Sequence, residues 1–119
     1  MSTNEIASRL IELCRQAKWE TAQRELFAED AISIEPYAGP LFEKETKGLN
    51  AIIEKGHKFD DLVQETHRIE VTEPIVTSNA IAFKLTMDVT MKGRDRETWE
   101  EICVYVVKES KISSEQFYM

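Results

Sequence analysis

The stretch WEEICVYVV, residues 99–107, carries apolar side chains on both alternating faces of a strand. Such a strand needs cover on both sides, from helices on one and from further protein on the other. Parity places Trp99, Glu101, Cys103 and Tyr105 on one face and Glu100, Ile102, Val104 and Val106 on the other. Glu101 is therefore an ionisable carboxyl in an apolar, aromatic wall, and it calls for a partner. The residues alone allow two: a ligand, or a structural ion pair.

Strand patterns surround this segment. NAIAFKLTMDVTM, residues 79–91, sets Ile81, Phe83, Leu85, Met87, Val89 and Met91 against Ala82, Lys84, Thr86, Asp88 and Thr90. KGRD (92–95) and KESK (108–111) read as turns, and ISSEQFY (112–118) as a last strand. Upstream, ETHRIEVTEPIV (65–76) puts His67, Ile69 and Val71 on one face. The N-terminal part is helical instead. Ser2 and Glu5 have capping-box spacing before the stripe Ile6, Leu10, Leu13, Cys14 and Ala17. WETAQRELF (19–27) reads as a second helix, and a third opens at Gly48 with Leu49, Ile52, Ile53, Gly56, Phe59 and Val63 at helical spacing. Between them EDAISIEP (29–36) alternates as a short edge strand ended by Pro36, followed by a loop, YAGPLFEKETKG (37–48). Helices first and hairpin-linked strands last predict an α+β domain, three helices packed on one face of a strongly curved antiparallel sheet. The 119 residues suit a single domain over 1–119.

Composition narrows the function classes. A net charge of −7, with no sustained basic run, opposes nucleic-acid binding. No apolar run reaches membrane-spanning length, and no secretory signal pattern precedes the first helix. The two cysteines, Cys14 and Cys103, match no metal or redox spacing and read as small buried hydrophobes, which suits a reducing cytoplasm. No cofactor is expected: the sequence has no phosphate-binding glycine loop and no Ser–His–Asp pattern. No metal is expected either, since His67 and the glutamates lack ligand spacing.

LFAEDAISIEP after two helices, KGLNAIIEKG opening the third, MDVTMKGR at a hairpin and the final EEICVYVVKESKISSEQFY together resemble the nuclear transport factor 2-like superfamily. The likeness is to its SnoaL-like, ketosteroid-isomerase-like group and covers nearly the whole chain. It implies a cone-shaped, helix-capped sheet around an internal cavity, and a homodimer through the outer sheet faces. The steroid isomerases' general base lies at an acid–Pro strand end, a place Glu35–Pro36 takes here. The position of their second acid falls on Cys103, and Leu10 and Ile11 stand where the first helix would carry a tyrosine. The resemblance therefore does not imply steroid isomerisation itself.

The expected ligand is a small apolar or aromatic metabolite. Glu35, Glu101 and His67 are the candidate catalytic groups, because carboxyls and an imidazole in an apolar pocket can move protons near neutral pH. Trp99, Cys103, Tyr105 and Met87 are candidate ligand-binding residues, joined by Glu115 and Phe117 when the last strand is laid on the family's. The bland readings are a solvated Glu35 and Glu115, a core His67 and an ion-paired Glu101. Two functions follow: proton transfer of isomerase or cyclase type on a carbonyl metabolite, or a non-catalytic ligand-binding or dimeric assembly module. A transport adaptor lacks a visible partner motif.

Overall fold

Helix α1 (Thr3–Arg15) begins at a complete capping box. The Glu5 backbone N–H donates to Ser2 Oγ at 3.1 Å, and the Ser2 N–H donates to Glu5 Oε1 at 2.9 Å. Its stripe of Ile6, Leu10, Leu13 and Cys14 is buried. Helix α2 (Trp19–Leu26) buries Ala22 and Leu26, and α3 (Leu49–Leu62) buries Ile52 and Ile53. Gly48 precedes α3 at φ 95°, a conformation that favours glycine. The computed structural model describes residues 1–40 and 42–119, so the loop reading at Leu41 lies outside the described residues.

Among the described residues seven strands complete the fold: β1 (Phe27–Ile34), β2 (Glu45–Lys47), β3 (Val63–Val71), β4 (Ile75–Val76), β5 (Ala80–Met91), β6 (Arg96–Lys108) and β7 (Lys111–Tyr118). Their order is β2-β1-β7-β6-β5-β3, with β4 also on β5. All pairs are antiparallel except β1 with β7, so the sheet is mixed. That parallel pair joins the first strand to the last, and only a crossover of many residues can make it. Further details differ from the sequence reading: β1 is paired on both sides, by β2 and β7, and is not the expected edge strand, and Val63 opens β3 instead of continuing α3. Residues 45–47 form β2 within the expected loop, and the 65–76 segment divides because Pro74 has no N–H to give a ladder.

The helices cover one face of the sheet. Ile6, Leu10, Leu13, Ile52, Ile81, Cys103 and Ile112 are at most 2% exposed there, each aliphatic side chain contributing roughly 1.5–3 kcal/mol. The other face carries Ile32, Ile34, Ile102, Val104, Val106 and Tyr118, as the strand registers fix. Among the described residues no helix is long and apolar enough to cross a membrane.

Candidate functional site

A cavity of about 350 Å³ lies between the helices and the inner sheet face. Phe83, Leu85 and Met87 of β5, Trp99, Glu101 and Tyr105 of β6, and Glu115 and Phe117 of β7 line its sheet side. Opposite stand Ile52, Ile53, Lys55 and Phe59 of α3, with Trp19 and Glu20 of α2. Pro36, Tyr37 and Phe42 follow β1 and close the third side. Aromatic rings pack along the wall: Phe83 stacks on Tyr105 with centroids 5.5 Å apart, and Phe59 meets Trp99 at 6.1 Å.

One polar chain crosses this apolar space. Lys55 Nζ donates to Glu35 Oε1 at 2.9 Å and to Ser33 Oγ at 2.6 Å, and Ser33 Oγ donates to Glu115 Oε2 at 2.7 Å. Local structure explains the meeting. Ser33 and Glu35 share the inward parity of β1, and the parallel register sets Ser33 beside Glu115 of β7. Lys55 lies three residues after Ile52 and four before Phe59, on the same stripe of α3. Lys55 and Glu35 are mostly covered, with side chains 15% and 27% exposed.

Glu101 lies outside that chain. Its contact among the described residues is the Cys103 thiol, whose Sγ is 3.7 Å from Oε1. Burial first, then the charge of Glu35, pushes its carboxyl up to about 7. Burial likewise lifts Glu115 to about 7, against the opposing Ser33 hydrogen bond and Lys55 charge. The buried Tyr105 phenol is held well above its ordinary range. Burial drives both thiols upward, Cys14 to about 12, which leaves them poor nucleophiles. At the exposed rim His57 contacts Glu20 through Nε2 and Glu54 through Nδ1 at 3.4 Å. Glu20 raises His57, and the His57 bond lowers Glu20.

Of the residues singled out in the sequence, Glu35, Glu101, Trp99, Tyr105, Met87, Glu115 and Phe117 all line the cavity. Cys103 and His67 do not. Cys103 is 1% exposed, a short side chain between its register partners Phe83 and Phe117, behind the wall rather than on it. The inward parity expected for His67 is overturned by a slip in register. Thr66 pairs with Val89 and Arg68 with Asp88, leaving His67 as the extra residue of a bulge. Its ring bonds Thr90 Oγ1 at 2.7 Å and Glu65 Oε2 at 3.0 Å, and it is not among the residues that line the cavity. Asp88 pairs with Arg96 at 2.7 Å on that same outer side, as parity indicates.

Sequence reasoning missed Ser33, Lys55 and the His57–Glu20 rim pair. Two signals were present. Ser33 shares the parity of Glu35, and Lys55 interrupts an apolar helical stripe, where a lysine needs a partner. Among the described residues no group of three His, Cys, Asp or Glu is placed to hold a metal ion.

Fold and site together define a helix-covered α+β domain with a ligand-sized, carboxylate-bearing cavity. The family model for the SnoaL-like domain matches residues 1–119, and the chain belongs to this family. Among solved structures it is similar to a candidate SnoaL-like polyketide cyclase of Mesorhizobium loti, at 32% identity, 100% of each chain and a TM-score of 0.92. More distant likenesses show the shared fold. TerC, crystallised with polyporic acid, has 14% identity over 98% of this chain and 90% of its own, with a TM-score of 0.77. A ketosteroid-isomerase-like protein of Catenulispora acidiphila in complex with trimethylamine has 16% identity over 99% and 87%, with a TM-score of 0.75. No curated protein matches.

Proposed function

We propose that the chain, acting as one domain, binds a small apolar or aromatic carbonyl metabolite and moves a proton on it, as an isomerase or cyclase does. The observation that carries this reading is the buried chain Glu35–Lys55–Ser33–Glu115 opening into an aromatic cavity that also holds Glu101. Glu35 is the base. Lys55 and the end of β1 fix its carboxylate, so it meets a bound ligand already oriented. It takes a proton from the carbon next to the ligand carbonyl, and the electron pair moves onto the carbonyl oxygen. Tyr105 receives that oxygen: its hydroxyl has no hydrogen-bond partner among the described residues and belongs to a cavity-lining side chain. Where a neighbouring double bond extends the enolate, return of the proton from Glu35 to its far carbon completes an isomerisation; where the enolate carbon attacks a second carbonyl of the ligand, the alkoxide formed takes that proton and a ring results. His67, outside the cavity, takes no part.

The similarity to the Mesorhizobium loti protein supports a cyclase-type reaction. The small molecules held by TerC and by the Catenulispora protein support a ligand in this fold. Buried free cysteines suit a cytoplasmic location, and the apolar outer sheet face suits a homodimer.

Proton transfer is read without knowing the natural substrate. Exchange of the α-hydrogens of 2-tetralone in D₂O, followed by NMR, is expected to accelerate with the protein, and Glu35→Gln is expected to slow it about 100-fold or more. Exchange that Glu35→Gln leaves unchanged removes Glu35 as base. Binding without accelerated exchange leaves a ligand-binding module.

A further inference from the structure

The cavity has an imbalance of charge that proton transfer alone does not use. Five of its lining residues are acidic: Glu20, Glu35, Asp60, Glu101 and Glu115. The basic ones are Lys55 and His57. Both are already engaged, Lys55 with Glu35 and Ser33, His57 with Glu20 and Glu54. Glu115 accepts the Ser33 hydroxyl. Glu101 is left on the wall with a thiol as its contact, a weak donor.

Around Glu101 the wall is aromatic and apolar. Trp99 shares its face of β6 two residues away, Phe59 packs on Trp99, and Met87 is the register partner of Trp99 on β5. An unpaired carboxylate beside an indole is the composition that recognises an organic cation, by charge on one side and by the ring quadrupole on the other. Low-dielectric walls concentrate the negative potential inside the cavity, which opposes carboxylate and phosphate ligands. The same potential makes ionisation of Glu101 costly when the cavity is empty, and a bound cation removes that cost.

We propose that the ligand carries a protonated basic nitrogen, held between the Glu101 carboxylate and the Trp99 ring, with its apolar body along Phe59 and Met87. This rests on the cavity being a small-molecule site, and it adds the chemical class of the occupant. Glu101 is then a specificity residue, while Glu35 and Tyr105 serve the carbonyl. Glu35, Glu115 and Lys55 are the groups whose charges bear on Glu101, and the neutral Cys103 thiol bears on it through a hydrogen bond.

Three probes of one shape separate the possibilities: 2-naphthylmethylamine, 2-naphthalenemethanol and 2-naphthoate, titrated against the whole chain by calorimetry. At pH 8 the amine is expected to bind about tenfold tighter than the alcohol, with the carboxylate weakest. At pH 5.5 the amine keeps its charge while Glu101 gains a proton, so the preference shrinks. Glu101→Gln is expected to erase the preference at pH 8 and to leave the affinity for the alcohol within about twofold. Glu101→Asp restores part of it. Alcohol and amine binding alike, or the carboxylate binding best, overturns the cation assignment and leaves the pocket intact. Loss of alcohol binding in Glu101→Gln makes Glu101 structural and overturns it too. No binding by any of the three probes counts against the cavity as a site, and the inference falls with it.

Discussion

The two faces of the sheet treat carboxylates in opposite ways. On the outer face Asp88 sits 2.7 Å from Arg96, and Glu100 sits 3.3 Å from Lys84. The Arg96 hydrogen bonds hold Asp88 below its ordinary range. On the inner face Glu35, Glu101 and Glu115 line one cavity in which Lys55 bonds Glu35, and burial pushes Glu101 and Glu115 up to about 7. Residues adjacent in sequence thus face different solvents: Glu100 is exposed and paired, while Glu101 is half-buried with a thiol. The outer arrangement resembles that of an ordinary protein surface. The inner one spends folding free energy to keep proton-exchanging groups inside an apolar wall, which is a signature of function rather than of stability.

Removing Lys55, the cation bonded into the covered carboxylate chain, is the strongest way to break this contrast. Lys55→Met is expected to cost about 2–4 kcal/mol at pH 8, because carboxylates lose their shared partner in a covered site. At pH 5 the loss shrinks, since Glu101 and Glu115 are then protonated. Urea unfolding at the two pH values measures both. A loss equal at pH 5 and pH 8 means that Lys55 contributes packing and not charge compensation.

A smaller effect, and one of opposite sign on the two faces, comes from proton linkage. Glu115 has its folded pKa raised from 4.5 to about 7. The folded chain therefore binds the proton more tightly than the unfolded one. Its contribution to stability is complete below about 4.5 and is lost as pH rises through about 7. Asp88, lowered by Arg96, behaves the other way: its contribution is present above the unfolded value and is lost as pH falls. Glu115→Gln cannot ionise, so the fall in melting temperature between pH 5 and pH 8 should flatten, each kcal/mol being roughly 3–6 °C. A melting temperature that falls between those values as steeply in the variant as in the parent chain would remove Glu115 from the account.

How much of this was legible in the sequence follows from what each signal is made of. Strand parity is a backbone property, so it correctly put Glu101, Tyr105 and Met87 on the cavity side. It failed at His67, because a bulge adds a residue without leaving a mark in the alternation. Cys103 has the right parity, but its side chain is too short to reach past Phe83 and Phe117. The partner of Glu35 was harder to see. Lys55 and Glu35 are 20 residues apart, and their contact depends on how α3 crosses β1. The parallel pairing of β1 with β7, which sets Ser33 against Glu115, is a long-range contact that local periodicity does not encode. The helices and the antiparallel strands β5 to β7 rest on local pattern, and there sequence and structure agree.

The least costly test concerns the outer face alone. Ile102 is 45% exposed and its register partner Tyr118 is 49% exposed, large apolar groups on the side that the helices do not cover. Ile32, Ile34, Val104 and Val106 extend the same surface across β1 and β6. In the proposed homodimer this face meets its own copy about a two-fold axis, so a single substitution acts twice at the interface. A stable interface needs about 800 Å² from each partner, and an apolar sheet face running across β1, β7 and β6 is of the kind that supplies it. Ile102→Asp would place two carboxylates across that axis. Light scattering is expected to give twice the chain mass for the parent and the single-chain mass for the variant. Because Ile102 is half exposed in the isolated chain, its fold should lose no more than about 0.5 kcal/mol. Cavity and outer face would then be separable, with probe binding per chain unchanged in the monomeric variant. A parent chain that scatters as a monomer removes the dimer and leaves the apolar outer face without a cover, while the cavity argument stands on its own residues.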